Sequence, residues 1–250
     1  MTTRRLPSDR ERMAVAIARD LVGARTMLIG AASAVPLAAG LLAQGLHTPD
    51  LTILGAGVYI NPRRLVADLS AGWDCRPVAI GDMSDVFAIT EAGIDVMFYG
   101  GMQIDRFGCV NLHRVLTSAG PLRGPGLANT TLGHTAKRVV LYSERHDRRT
   151  LVETVDYASV IGHAYRGRTR AELNLTNAGP TALVTPDVLM RPDGDGVLTP
   201  AALLRPVDWD ELRGRTGWDL GPTPPGVEMP TDEEIELLRT SVDPGGLLAG

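Results

Sequence analysis

The chain opens on a helical period. Met13, Ile17 and Leu21 fall four apart with Ala14 and Ala18 beside them, and charged residues take the opposite positions. Residues 8–21 are therefore expected to form an amphipathic helix that starts at a Ser8 cap and ends at Gly23. The period then changes. Residues 26–29 are a short apolar run, 30–35 a small-residue loop, and 36–44 a second helix with Pro36 in its first turn, where proline is tolerated. The same order returns along the chain: 51–54 precede Gly55-Ala56-Gly57, 77–80 precede a helix over 84–92, and 95–99 precede Gly100-Gly101. Repeated strand, loop and helix units predict an α/β fold with a single open, mostly parallel sheet and flanking helices.

The second half is less regular. Residues 111–136 are dense in Gly, Pro, Ser and Thr over too long a span for a mere connector, which makes them a candidate binding loop. Further strands are expected over 139–143, 152–155 and 182–189, and an exposed loop or partner contact over 166–172. Thr231-Asp232-Glu233-Glu234 before Ile235, Leu237 and Leu238 marks a helix start, with acidic residues at the positive end of the helix dipole. No internal repeat and no clean domain boundary interrupts 1–250, so one domain is expected.

Composition narrows the classes of function. The stretch 26–46 carries no charge, but Ser33, Pro36 and Gln44 interrupt it, and a buried strand, loop and helix explain it better than a membrane span or an export signal. A net charge of −4 with dispersed arginines gives no electrostatic footprint for nucleic acid. Lys137 is the only lysine, and no phosphate-gripping glycine-lysine loop surrounds it. Two cysteines, Cys75 and Cys109, make no disulfide framework, which points to a reducing, cytoplasmic setting; buried filler is the expected role of each. His47, His113, His134, His146 and His163 show no ligand spacing, so no metal site is expected. Gly55-Ala56-Gly57-Val58-Tyr59-Ile60 begins like a dinucleotide fingerprint but has Ile60 at the third glycine and Pro62 beyond it, which argues against NAD.

The most informative dozen residues are Gly100-Gly101-Met102-Gln103-Ile104-Asp105-Arg106-Phe107-Gly108-Cys109-Val110-Asn111. They resemble the G-G-A-Q-I-D-x-Y-G-N-V-N signature of glutaconate CoA-transferase β subunits, in the class I CoA-transferase family. The likeness extends to the helix over 11–21, the turn over 30–36, His47-Thr48-Pro49-Asp50 and Val242-Asp243-Pro244-Gly245, all in order. Gly124-Pro125-Gly126-Leu127-Ala128-Asn129 resembles the family's G-S-G-G-A-N loop, with Leu127 in place of a glycine. The resemblance implies an acyl-CoA site at Gly30, Gly55, Tyr59, Gly100, Gly101, Gln103, Asn111, Gly126 and Asn129. It also implies coenzyme A as part of the substrate rather than a resident cofactor, and an α-type partner subunit in a heterodimer or α2β2 assembly. Independently of the family, Gln103, Asp105 and Asn111 are residue types that commonly fix tight turns.

One departure bears on the chemistry. The transferases use a β-subunit glutamate as nucleophile, and aligning its motif on Asp50 and Pro62 puts Leu54 in its place. Leucine is neither nucleophile nor base. The chain is accordingly expected to serve carbon–carbon cleavage of an acyl-CoA, by hydrolysis or decarboxylation, as in steroid-ring hydrolase and glutaconyl-CoA decarboxylase relatives. Two alternatives stand beside it: a transferase with another nucleophile, and a non-catalytic CoA-ester-binding partner of a catalytic α subunit. Gln103 and Asp105 are the candidate catalytic side chains.

Overall fold

A computed structural model describes residues 5–56, 58–126, 131–224 and 226–250. The chain divides into two compact units, residues 1–88 with 228–250, and residues 89–227.

In the first unit, α1 (Asp9–Asp20) begins at a capping box in which Ser8 Oγ accepts from Glu11 N and Glu11 returns a carboxylate oxygen to Ser8 N. Strand β1 (Thr26–Ile29) follows, then α2 (Ala34–Leu46), β2 (Thr52–Gly55), β3 (Tyr59–Pro62), β4 (Pro77–Ile80) and α3 (Met83–Ala92), which leads out of the unit. β1 and β2 are parallel, whereas β3 and β4 turn back as antiparallel neighbours in the order β1-β2-β3-β4. The uncharged stretch thus folds as the expected strand, loop and helix, and no helix among the described residues is long and apolar enough to cross a membrane. α2 lies close on the sheet: a Cβ on Gly40 would meet Met27 Sδ at 2.6 Å and Ile53 Cδ1 at 2.9 Å. Leu28, Ile29, Leu37, Leu42 and Ile53 are buried there, and each contributes about 1.5–3 kcal/mol by leaving water.

The second unit holds β5 (Val96–Tyr99), β6 (Gln103–Asp105), β7 (Val110–Asn111), β8 (Arg114–Thr117), β9 (Gly120–Arg123), α4 (Leu132–Thr135) and β10 (Arg138–Tyr142). It continues with β11 (Leu151–Val152), β12 (Ala164–Tyr165), β13 (Arg168–Thr169), β14 (Pro180–Val184), β15 (Val188–Pro192), β16 (Leu198–Leu203) and α5 (Trp209–Arg215). Its main strands run β16-β15-β14-β10-β5, parallel from β5 through β14 and antiparallel beyond. The chain then returns to the first unit in α6 (Asp232–Leu237), which starts at the expected Thr231 and Glu234 capping box. The open α/β fold with parallel strands and flanking helices is the one the sequence predicts.

Four expectations are corrected. Residues 182–189 are not one strand but the hairpin of β14 and β15, because Pro186 cannot continue a ladder and Thr185 Oγ1 accepts from Val188 N to close the turn. The strand expected over 152–155 is only β11, at Leu151–Val152. The loop over 111–136 contains the β8-β9 hairpin and α4. The polar run 166–172 includes a buried Arg170, whose guanidinium donates to the carbonyls of Ile161, Gly162 and Asn177. Such a head is satisfied by backbone acceptors the sequence does not reveal.

Candidate functional site

In the first unit, Gly30, Leu54, Gly55 and Tyr59 gather where β1 and β2 end and β3 begins. The register pairs Leu28 with Leu54 and Ile29 with Gly55, and Gly55 faces Tyr59 across the antiparallel pair. Ligands of parallel sheets bind beyond such carboxyl ends. Leu54 is 2% exposed, a core side chain. Gly55 has no room for a side chain, since a Cβ would meet Leu69 Cδ1 at 2.9 Å. Ala56 then takes a left-handed φ of 49°, a costly conformation for a residue with a Cβ, and its N–H donates to Ile29 O at 2.9 Å. Tyr59 is half-buried. The strand end therefore carries neither carboxylate nor thiol.

In the second unit, the dozen-residue signature is a β-hairpin. β6 and β7 pair Gln103 with Asn111 and Ile104 with Val110. The reversal needs Gly108 at φ 75°, and its N–H donates to Asp105 O at 2.8 Å. Asp105 Oδ1 accepts from Phe107 N at 3.0 Å and from Cys109 N at 2.9 Å, which fixes the turn from inside. Burial pushes the Asp105 carboxyl up to about 6 despite those donors. Asn111 Nδ2 donates to Gln103 Oε1 and to Arg114 O, while its Oδ1 accepts from His113 N and Arg114 N. Gln103 also accepts from Asp156 N at 3.0 Å and donates to Asp156 Oδ2 at 3.2 Å. These polar side chains hold one another and the turn.

Gly100, Gly101 and Gln103 line a cavity of about 800 Å³. Its apolar wall comes from Met102 and from Val115, Leu116 and Leu122 of the β8-β9 hairpin; its polar wall runs from Tyr142 through Arg145, Asp147, Arg148 and Arg149. Gly101 cannot be replaced cheaply, because a Cβ there would meet Val110 Cγ1 at 2.5 Å, whereas one on Gly100 meets only the Tyr142 ring at 3.4 Å. The arginine-bearing wall carries no sequence signal that marks it in advance. Gly126, at φ 104°, donates its N–H to Leu112 O; Asn129 lies outside the described residues.

Cys109 is fully buried, its thiol pushed up to about 12 first by burial and then by Asp105, and its sulfur donates to Ala164 O and accepts from Gly162 N. Burial likewise raises Cys75. Thiolate attack has no support at either. Among the described residues no group of three His, Cys, Asp or Glu is placed to hold a metal ion. His146 is buried between Thr185 Oγ1 and Thr216 Oγ1, each at 2.9 Å, in a packing role.

No family model matches the chain. By sequence it is 29% identical over 244 residues to the β-type subunit of the 3-oxoadipate CoA-transferase of Pseudomonas knackmussii, covering 93% of this chain and 92% of that one. It is also 29% identical over 258 residues to the cholesterol ring-cleaving hydrolase IpdB subunit of Rhodococcus jostii, covering 95% and 93%. Glutaconate CoA-transferase from Acidaminococcus fermentans superposes with a TM-score of 0.78 at 22% identity over 97% of each chain. The decarboxylase AibA/AibB superposes at 0.79 with 21% identity over 97% and 98%. These two likenesses establish the fold. Sequence and fold together make the homologues of this chain the β-type subunits of CoA-transferases and their ring-cleaving relative, as the signature at Gly100 and its neighbours indicates.

Proposed function

We propose that this chain is the β-type subunit of a heteromeric enzyme acting on an acyl-CoA thioester, and that the reaction is carbon–carbon bond cleavage, by hydrolysis or decarboxylation, rather than CoA transfer. The observation that carries this reading is the end of β2. Leu54 is core, Gly55 is closed off by Leu69, and Ala56 offers a methyl group, so no carboxylate is available to form an anhydride with the acyl group. The relatives bear on it from both sides, since they include a transferase subunit and a ring-cleaving hydrolase subunit, with a decarboxylase among the similar folds. All these reactions place negative charge on or beside a thioester carbonyl, and a pocket with preorganised donors serves each of them. The substrate lies against Gly30, Gly55, Tyr59, Gly100, Gly101 and the 124–129 loop, with coenzyme A present only as part of it. An α-type subunit completes the site, by analogy with the two-component decarboxylase AibA/AibB and with the relatives that are themselves subunits of larger enzymes.

A second reading is favoured by the hydrogen bonds of the signature. Gln103, Asp105 and Asn111 spend their polar atoms on one another and on backbone, which suits a subunit that shapes and holds the CoA ester while the partner supplies the acid or base. Co-expression with an α-type subunit and assay of acyl exchange, free CoA and CO2 over a panel of acyl-CoA esters tests both. Exchange with a borohydride-trappable enzyme–CoA thioester would refute the loss of transfer. Hydrolysis or decarboxylation without exchange is the expected result, and Gln103→Ala then separates the readings, by a fall in kcat if it acts in the chemistry and by a rise in KM alone if it supports binding.

A further inference from the structure

Three arginines of the first unit converge where nothing answers them. Arg63, Arg64 and Arg76 line one cavity of about 680 Å³ together with Pro77, Val78 and Ser241, and no carboxylate lines it. That volume falls within the roughly 300–1,000 Å³ usual for small-molecule sites. None of the three guanidinium groups makes an ion pair or a hydrogen bond among the described residues. The gathering is held by backbone: Arg63 N donates to Cys75 O at 2.9 Å and Arg76 O at 3.3 Å, and Arg64 N donates to Cys75 O at 3.0 Å. Arg76 itself sits at φ 49° and ψ 61°, a left-handed conformation costly for any residue but glycine. Like charges and backbone strain are thus kept together in a chain of net charge −4, an arrangement that suits a multiply charged phosphate ligand.

From this cavity an apolar strip leads toward Tyr59. β4 begins beside Arg76, and its register with β3 runs from Pro77 opposite Pro62 to Ile80 opposite Tyr59. Val78 and Ile80, two apart and so on one face of the strand, are 55% and 42% exposed. The run from Pro77 to Ile80 covers about 10 Å at the usual rise of a strand, within reach of an extended pantetheine arm.

We propose that Arg63, Arg64 and Arg76 bind the phosphates at the nucleotide end of coenzyme A, with the pantetheine arm laid along Val78 and Ile80 toward Tyr59. This rests on the acyl-CoA reading above. Arginine forks match phosphate oxygens two at a time, and the exposed strip gains by covering its apolar face. The test is calorimetric, on the complex with its α-type subunit, using coenzyme A, adenosine 3′,5′-bisphosphate and pantetheine as probes. In Arg63→Gln/Arg64→Gln, and separately in Arg76→Gln, binding of coenzyme A and of adenosine 3′,5′-bisphosphate is expected to weaken by roughly tenfold or more, with pantetheine unaffected. Equal binding of both nucleotides by wild type and variants overturns the proposal, and so does an equal loss for pantetheine. Variants that no longer co-purify with the α-type subunit overturn it as well, because the cluster would then be a protein contact. A wild-type complex that fails to bind any of the three probes removes the acyl-CoA reading itself.

Discussion

Asn111 donates its side-chain amide to Gln103 Oε1 at 2.8 Å, directly across the β6-β7 pair, and Asn111 is completely buried. A buried amide so placed contributes less by its own bonds than by what its removal strands. Asn111→Leu keeps the volume but leaves Arg114 O and the N–H groups of His113 and Arg114 without it. The variant is expected to lose about 3 kcal/mol, read as a lower denaturant midpoint with an unchanged slope. A loss under 1 kcal/mol would mean that water replaces the amide.

Asp105 predicts a pH dependence of unusual sign. Its folded pKa is raised by burial from an ordinary 3.8 to about 6, so between those values the folded state holds a proton the unfolded chain has released. Stability contributed by this group is therefore full below 3.8 and declines as pH rises through about 6. Asp105→Asn keeps an oxygen for Phe107 N and Cys109 N and removes the charge. It is expected to match the wild type near pH 4 and to exceed it by about 2–3 kcal/mol at pH 7.5. Asp105→Ala should be less stable than the wild type at the acid end, where charge no longer matters. Chemical denaturation across pH checks both, and a wild type more stable than Asp105→Asn at pH 7.5 would refute the charge argument.

The two glycines of the signature should separate folding from binding. A methyl on Gly101 would meet Val110 Cγ1 at 2.5 Å and Gln103 O at 3.0 Å, so Gly101→Ala must spread the hairpin. It is expected to destabilise by about 1–3 kcal/mol. Gly100→Ala meets the Tyr142 ring at an ordinary 3.4 Å and adds its methyl where the residue lines the cavity. Its melting temperature should barely change while KM for an acyl-CoA substrate of the assembled enzyme rises severalfold. Equal melting temperatures for both variants would show that the hairpin yields more easily than its packing suggests.

The βα units were legible in the sequence because each rests on a local signal: the Ser8 cap with its four-residue apolar period, or the apolar run that ends at Gly100. The signature at Gly100 through Asn111 was legible as a motif, but not as a hairpin with Asp105 turned inward, since the alternation of so short a strand cannot be told from a turn. β3 was missed because Asn61 breaks its pattern. That residue adopts φ 48° and uses Oδ1 to accept from Ile53 N at 2.8 Å, a side chain standing in for a backbone acceptor. The cavity walls were illegible for another reason: Leu116 and Arg148 stand 32 residues apart in the chain and meet only through the fold.

The ends of the chain supply the last prediction. Arg239 reaches Glu11 with two bonds, Nε to Oε1 at 2.8 Å and Nη2 to Oε2 at 2.9 Å, and also donates to the carbonyls of Arg5 and Leu6. Burial alone would raise the Glu11 carboxyl, but the hydrogen bonds from Arg239 and Ser8, with the charges of Arg239 and Arg5, outweigh it and leave the group below its ordinary 4.5. With the folded pKa depressed, the stability from this pair is present above 4.5 and is lost as pH falls through the lower folded value. Arg239→Met keeps much of the aliphatic stem and removes the fork, so Glu11 remains buried with Arg5 and the Ser8 N–H as its partners. The variant should lose about 2 kcal/mol at pH 7. Its disadvantage should shrink as pH is lowered past 4.5, because a protonated Glu11 no longer needs a cation. Acid titration of both proteins by circular dichroism decides the matter: parallel curves would show that Arg239 holds the N-terminal segment through its carbonyl bonds alone.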